Sequence, residues 1–165
     1  MEEGDGIKEN VCCFAGHRYL PQAKLPDIAR QLESVIEELI AKGVVYYGCG
    51  GAIGFDQLAG ETVLRLKERF PHIKLIMVLP CVNQEKKWLQ ADKDRYKALL
   101  AACDKTVYVQ REYDNGCMLK RNRHLVDSSG VCVAYLTQPR GGTFYTIGYA
   151  CRQKVPIINV ADKIP

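Results

Sequence analysis

Short apolar runs alternate with longer amphipathic stretches along nearly the whole chain. Val11-Cys12-Cys13-Phe14-Ala15 is apolar at every position and stops at Gly16, which reads as a strand. The next stretch sets Leu25, Ile28, Leu32, Val35, Ile36, Leu39 and Ile40 at the three-and-four spacing of a helix with one apolar face. Pro26 suits its first turn and Gly43 its stop. Further strands are predicted over Val44–Tyr47, Ile73–Leu79, Thr106–Val109, Val131–Leu136 and Pro156–Val160. Between them, helices are predicted over about Asp56–Arg69, Gln84–Ala102 and Met118–Asp127, with a last one from Arg140-Gly141-Gly142-Thr143 to about Lys154. Leu58, Ala59, Val63, Leu66 and Phe70 form the inner stripe of one; Trp88, Leu89, Tyr96, Leu99 and Leu100 face inward on another.

The strands are apolar throughout and do not alternate, so both their faces are expected to be buried, as in a mostly parallel sheet. Strand–helix alternation with right-handed crossovers then gives a doubly wound α/β fold: six strands in a Rossmann-like sheet with helices on both faces. The 165 residues suit one domain over 1–165, with a flexible tail at 1–9. Apolar residues make up 47% and charged residues 25%, which excludes a collagen, a coiled-coil rod or a disordered chain. The net charge of +4 is too small to mark a nucleic-acid binder without a local patch. No apolar stretch is long enough to span a membrane, and the polar, acidic residues Met1 to Asn10 do not read as a signal peptide. Cys12, Cys13, Cys49, Cys81, Cys103, Cys117, Cys132 and Cys151 form no Cys-x-x-Cys pair and no metal-binding spacing. Several lie inside apolar runs, so reduced structural thiols and a cytoplasmic location are expected, with no metal.

In such sheets ligands bind beyond the C-terminal strand ends, so the segments after each strand are the candidates for function. Gly16-His17-Arg18 offers a close backbone approach and a guanidinium fork, or simply a tied-down loop. Gly48-Cys49-Gly50-Gly51-Ala52-Ile53-Gly54-Phe55-Asp56 puts glycines between a strand and a helix, where backbone N–H groups and a helix N-terminus cradle phosphate. It is neither the dinucleotide fingerprint nor a Walker loop. Asp56 reads as a helix cap or as a ribose-hydroxyl ligand. After the third strand, Asn83 is a cap candidate, Gln84 a base or ribose contact, and Trp88 more a core residue than a stacking platform. Tyr113 is a base-stacking candidate beside the turn Asp114-Asn115-Gly116. In the run Lys120-Arg121-Asn122-Arg123-His124, either a solvated face or a phosphate contact at Arg121 or Arg123 is expected. Gly141, Gly142 and Thr143 open a second helix at the same edge. Two such turns on one rim suggest a ligand with phosphate and sugar.

Taken together, Phe14-Ala15-Gly16-His17-Arg18, Gly50-Gly51-Ala52-Ile53-Gly54-Phe55-Asp56, Gln84 with Trp88, Tyr113 to Met118, Arg121-Asn122-Arg123, Val126-Asp127 and Gly141-Gly142-Thr143 resemble the SLOG superfamily. That group includes the LOG phosphoribohydrolases and DNA-processing protein A, and the pattern is most similar to its YpsA/YoqJ-like branch. The resemblance implies a Rossmann-like domain binding nucleotide-derived ligands, with self-association compatible with it. Gly50, Gly51, Gly54 and Asp56 fall on its first glycine motif, and Gly141, Gly142 and Thr143 on its second. LOG enzymes carry a glutamate after the second motif; Gly141-Gly142-Thr143-Phe144-Tyr145-Thr146-Ile147-Gly148 has no carboxylate there. Asp56, Glu61 and Arg121 remain as candidate catalytic groups, although five residues along a helix turn Asp56 and Glu61 roughly 140° apart.

The leading expectation is a cytoplasmic sensor or regulator that binds a small nucleotide or a nucleotide-sugar of the ADP-ribose or NAD kind. No other cofactor is expected. The first alternative is a nucleotide-processing N-glycosidase. The second is a single-stranded DNA-binding accessory protein, against which stands the single basic cluster near the edge.

Overall fold

The computed structural model describes residues 8–165. Most of the expected tail lies outside the described residues. Its end at Lys8 and Glu9 packs closely against Gly130, so these two residues belong to the fold. Six strands form one sheet: β1 (Val11–Gly16), β2 (Tyr46–Cys49), β3 (Lys74–Leu79), β4 (Lys105–Tyr108), β5 (Val131–Tyr135) and β6 (Ile157–Asn159). Every pairing is parallel and the order is β4-β3-β2-β1-β5-β6. Five α-helices connect them: α1 (Leu25–Ala41), α2 (Phe55–Lys67), α3 (Gln90–Ala102), α4 (Cys117–Asp127) and α5 (Gly141–Arg152).

The strand period of two divides the core. Cys12 and Phe14 of β1 point into one cluster, with Ile28, Leu32 and Ile36 of α1, Val63 and Leu66 of α2, and Tyr96 and Leu99 of α3. Cys13 and Ala15 point into the other, with Leu125 and Val126 of α4 and Ala150 of α5. Three helices therefore cover one face and two the other. The chain winds outward from β1 to β4, then returns to lay β5 on the opposite side of β1. That divide between β1 and β5 is the topological switch point, where a crevice opens above the strand ends.

Four expectations need correction. The helix expected from Gln84 begins at Gln90, after turns that run from Cys81 to Trp88. Asn83 does not cap it: its φ is +66°, and the Val82 N–H donates to the Arg111 carbonyl, tying this segment to the loop after β4. Leu89 is 77% exposed rather than inward, and β4 is an exposed edge strand. Trp88 does pack on the core, edge-on to Tyr96 at 5.2 Å between ring centres. All eight cysteines are free thiols, six of them buried. No helix among the described residues is long and apolar enough to cross a membrane.

Candidate functional site

A cavity of about 270 Å³ opens at the β1/β5 divide. The end of β1 contributes Gly16, His17 and Arg18; the β2–α2 turn contributes Ala52 and Asp56; α4 contributes Met118, Arg121 and Asn122; and the start of α5 contributes Gly142, Thr143 and Thr146. The two turns singled out in the sequence thus border one space.

Arg121 is the unusual group. It is only 3% exposed. Its Nη1 donates to the Gly50 carbonyl at 2.8 Å, its Nε to Asn122 Oδ1 at 2.8 Å, and its Nη2 lies 3.9 Å from Met118 Sδ. It enters none of the ion pairs found among the described residues. A buried guanidinium without a bonded carboxylate carries a desolvation penalty that an incoming anion would relieve.

Asp56 is the complementary group, 7% exposed and in the first turn of α2. Burial pushes its carboxyl up to about 6; the Arg121 charge, the Ala52 N–H and the Arg18 charge hold it from rising further. It is not the helix cap, because α2 is entered from Gly54. With Arg18 exposed nearby, positive charge outweighs negative at the cavity wall. The α5 N-terminus adds partial positive charge.

His17 is held neutral: burial lowers its pKa, and its Nε2 accepts the Thr137 N–H at 2.9 Å. The ring proton therefore sits on Nδ1. The His17 backbone also ties its loop down, donating to the Tyr135 carbonyl and accepting from the Phe55 N–H. The loop is therefore tied down, as one of its two sequence readings expects, and it also lines the cavity.

The glycines of the β2–α2 turn act differently from expectation: Gly50, Gly51 and Gly54 do not border the cavity. Each makes room for the protein itself. A β-carbon on Gly50 would fall 2.5 Å from Arg121 Nη1. One on Gly51, whose φ is +74°, would fall 2.8 Å from the Tyr96 ring. One on Gly54, at φ +88°, would fall 2.2 Å from the Arg18 carbonyl. Even Gly16, which does line the cavity, is needed for the Phe55 ring, 2.3 Å from its would-be β-carbon. These glycines thus serve the packing of the turn, which reaches the cavity through Ala52 and Asp56.

Other expected residues also lie elsewhere. Gln84 is buried, donating to the Gly50 carbonyl and the Tyr96 hydroxyl at 3.0 Å each, which braces the turn. Tyr113 stands exposed in its loop, Arg123 donates to the Tyr145 hydroxyl at 3.0 Å, and Gly141 opens α5; none of the three borders the cavity. Glu61 is away from it too, clamped by Arg95 through bonds of 2.8 and 2.7 Å. Sequence reasoning missed Met118, Asn122 and Thr146. Asn122 and Met118 carried a signal, since they sit one and three residues from Arg121 on the same helix. Thr146, whose hydroxyl donates to the Gly142 carbonyl, carried none.

Comparison with known proteins follows the same lines. The SPbeta prophage-derived protein YoqJ of Bacillus subtilis is 35% identical over 133 residues, covering 73% of this chain and 78% of that one. The UPF0398 protein BH1768 of Halalkalibacterium halodurans is 31% identical over 130 residues, covering 77% and 69%. Among solved structures, DNA processing protein A from Helicobacter pylori, which binds single-stranded DNA, superposes with a TM-score of 0.64 at 20% identity over 91% of this chain. Its counterpart from Streptococcus pneumoniae gives 0.66 at 14% over 93%. The chain spans 64% and 50% of those two proteins, and at such identities the likeness is one of fold. Residues 19–154 match the YpsA family model, and on that match the chain belongs to the YspA SLOG family.

Proposed function

We propose that this chain binds a nucleotide-derived anion, a nucleoside phosphate or nucleotide-sugar, in the cavity at the β1/β5 divide, and acts as a sensor or regulatory module. The observation that carries this reading is Arg121, a buried guanidinium lining an open cavity with no ion-pair partner among the described residues. Arg18 and the α5 N-terminus at Gly142 and Thr143 supply further anion contacts, and Asp56 is the acceptor for a sugar hydroxyl. The buried free thiols favour a reducing, cytoplasmic setting.

The test is a thermal-shift and calorimetric screen over AMP, ADP-ribose and NAD. A ligand at a hundred times its Kd stabilises by about 2.7 kcal/mol, which raises Tm by roughly 5–10 °C in a domain of this size. Absence of any shift at millimolar ligand refutes the reading.

A second reading rests on Asp56 alone. A cavity carboxyl with a pKa near 6 is suited to general acid–base work. On that reading the protein hydrolyses the N-glycosidic bond of its ligand and releases free base, which chromatography of the incubated ligand detects. Glu61 plays no part in it, being held by Arg95 outside the cavity.

A further inference from the structure

A second cavity, of about 260 Å³, lies beside the first, and Arg18 lines both. The two differ in chemistry. The first is bordered by Arg121, Asp56 and an α-helix N-terminus. The second is lined chiefly by Tyr19, Leu20, Leu25, Ile53 and Leu58, with Arg95 as a further member. The ridge between them is tightly packed: Gly54 and the Arg18 backbone lie so close that no β-carbon fits at residue 54. Arg95 is already paired with Glu61 through two hydrogen bonds, which leaves the apolar side chains to set the character of this cavity. Tyr19 is 77% exposed, an aromatic ring left in solvent beside apolar walls.

We infer that this second cavity is a base-binding subsite for the same ligand, an inference that rests on the function proposed above. Its walls suit the face of a planar nitrogenous ring, with Tyr19 as the stacking platform. Arg18, on the ridge and outside every ion pair found among the described residues, is placed to hold the phosphates that join the two ends. The sugar-bearing end then lies in the first cavity, beside Asp56. Size points the same way. Each cavity alone falls just under the roughly 300–1,000 Å³ usual for a ligand pocket, and the two together fall inside that range. The ligand class is therefore a two-part molecule of the nucleoside-diphosphate-sugar or dinucleotide type, rather than a free sugar phosphate.

Calorimetry with three probes tests this: ribose 5-phosphate, AMP and ADP-ribose, each against the wild-type chain, Tyr19→Ala and Tyr19→Phe. Tyr19 is exposed, so both variants keep the fold. The nucleotides are expected to bind more tightly than ribose 5-phosphate. Tyr19→Ala is expected to weaken AMP and ADP-ribose by at least about fivefold, the low end of a base–aromatic stack, and to leave ribose 5-phosphate unchanged. Tyr19→Phe is expected to restore nucleotide binding. If the nucleotides bind but Tyr19→Ala changes nothing, or weakens all three probes alike, the subsite is refuted while the anion site of the first cavity stands. If none of the three probes binds, both fall.

Discussion

Two glycine substitutions separate the folding role of the glycine turns from the binding role proposed for the cavity they border. Gly51→Val places a β-branched residue at φ +74°, with its first side-chain atom 2.8 Å from the Tyr96 ring and 2.9 Å from Met77 Cε. The left-handed backbone alone costs about 1–2 kcal/mol, and overpacking adds about 1–3 kcal/mol. The sum, roughly 2–5 kcal/mol, is a large part of the ~5–15 kcal/mol that holds a typical domain together. At about 2–4 °C per kcal/mol, Tm should fall by roughly 5–20 °C. Gly142→Val is the opposite case. Gly142 lines the cavity, yet a β-carbon there meets nothing within 4 Å. Its fold stability should stay within about 1 kcal/mol of the parent, while the added isopropyl group takes up ligand space. The assay is a thermal melt of each variant with and without saturating nucleotide. Gly51→Val should melt early, and Gly142→Val should melt normally but lose the nucleotide shift. A Gly51→Val protein as stable as the parent would refute the packing role of that turn. A Gly142→Val protein with an intact shift would remove the cavity from the binding site.

Three other outcomes follow from the same geometry. Because Asp56 holds its proton to about pH 6 in the folded chain but only to about 3.8 unfolded, the folded state binds more protons between those values, and its stability falls as pH rises through that window. Asp56→Asn should remove this slope and raise stability at pH 7.5 by up to about 3 kcal/mol; denaturant melts from pH 4 to 8 that keep their slope in the variant would count against the burial argument. Glu61→Gln breaks a half-exposed pair and should cost no more than about 1 kcal/mol, leaving AMP affinity unchanged in a titration; a tenfold loss would place Glu61 in the ligand's first contacts after all. Single-stranded DNA should bind no tighter than about 1 µM at physiological salt, the non-specific range, since the basic run is broken up by the burial of Arg121 and the bond from Arg123 to Tyr145. Nanomolar binding in a filter assay at 150 mM salt would overturn that.

What the chain discloses about itself depends on whether the signal is local. The strand and helix pattern is local, and β1 illustrates it: an unbroken apolar run is buried on both faces because its alternate residues feed two cores. The segment 81–89 is the exception. Gln84 to Trp88 resembles a helix start, but the bond from Val82 to Arg111, a residue nearly thirty positions away, imposes turns instead. The glycine turn is legible as special and illegible as to why, since Gly50 is small for the sake of a side chain 71 positions later. Arg121 itself is the instructive residue. Read as one of five polar neighbours, it belongs to a solvated face. Read by helix period, it stands in line with Cys117 and Leu125, four residues to either side, and all three are buried. A charge in the middle of an apolar stripe must have something to face. In this fold it faces the Gly50 carbonyl on one side and a cavity on the other, so the periodicity that places helices also picks out the group that carries the proposed ligand site.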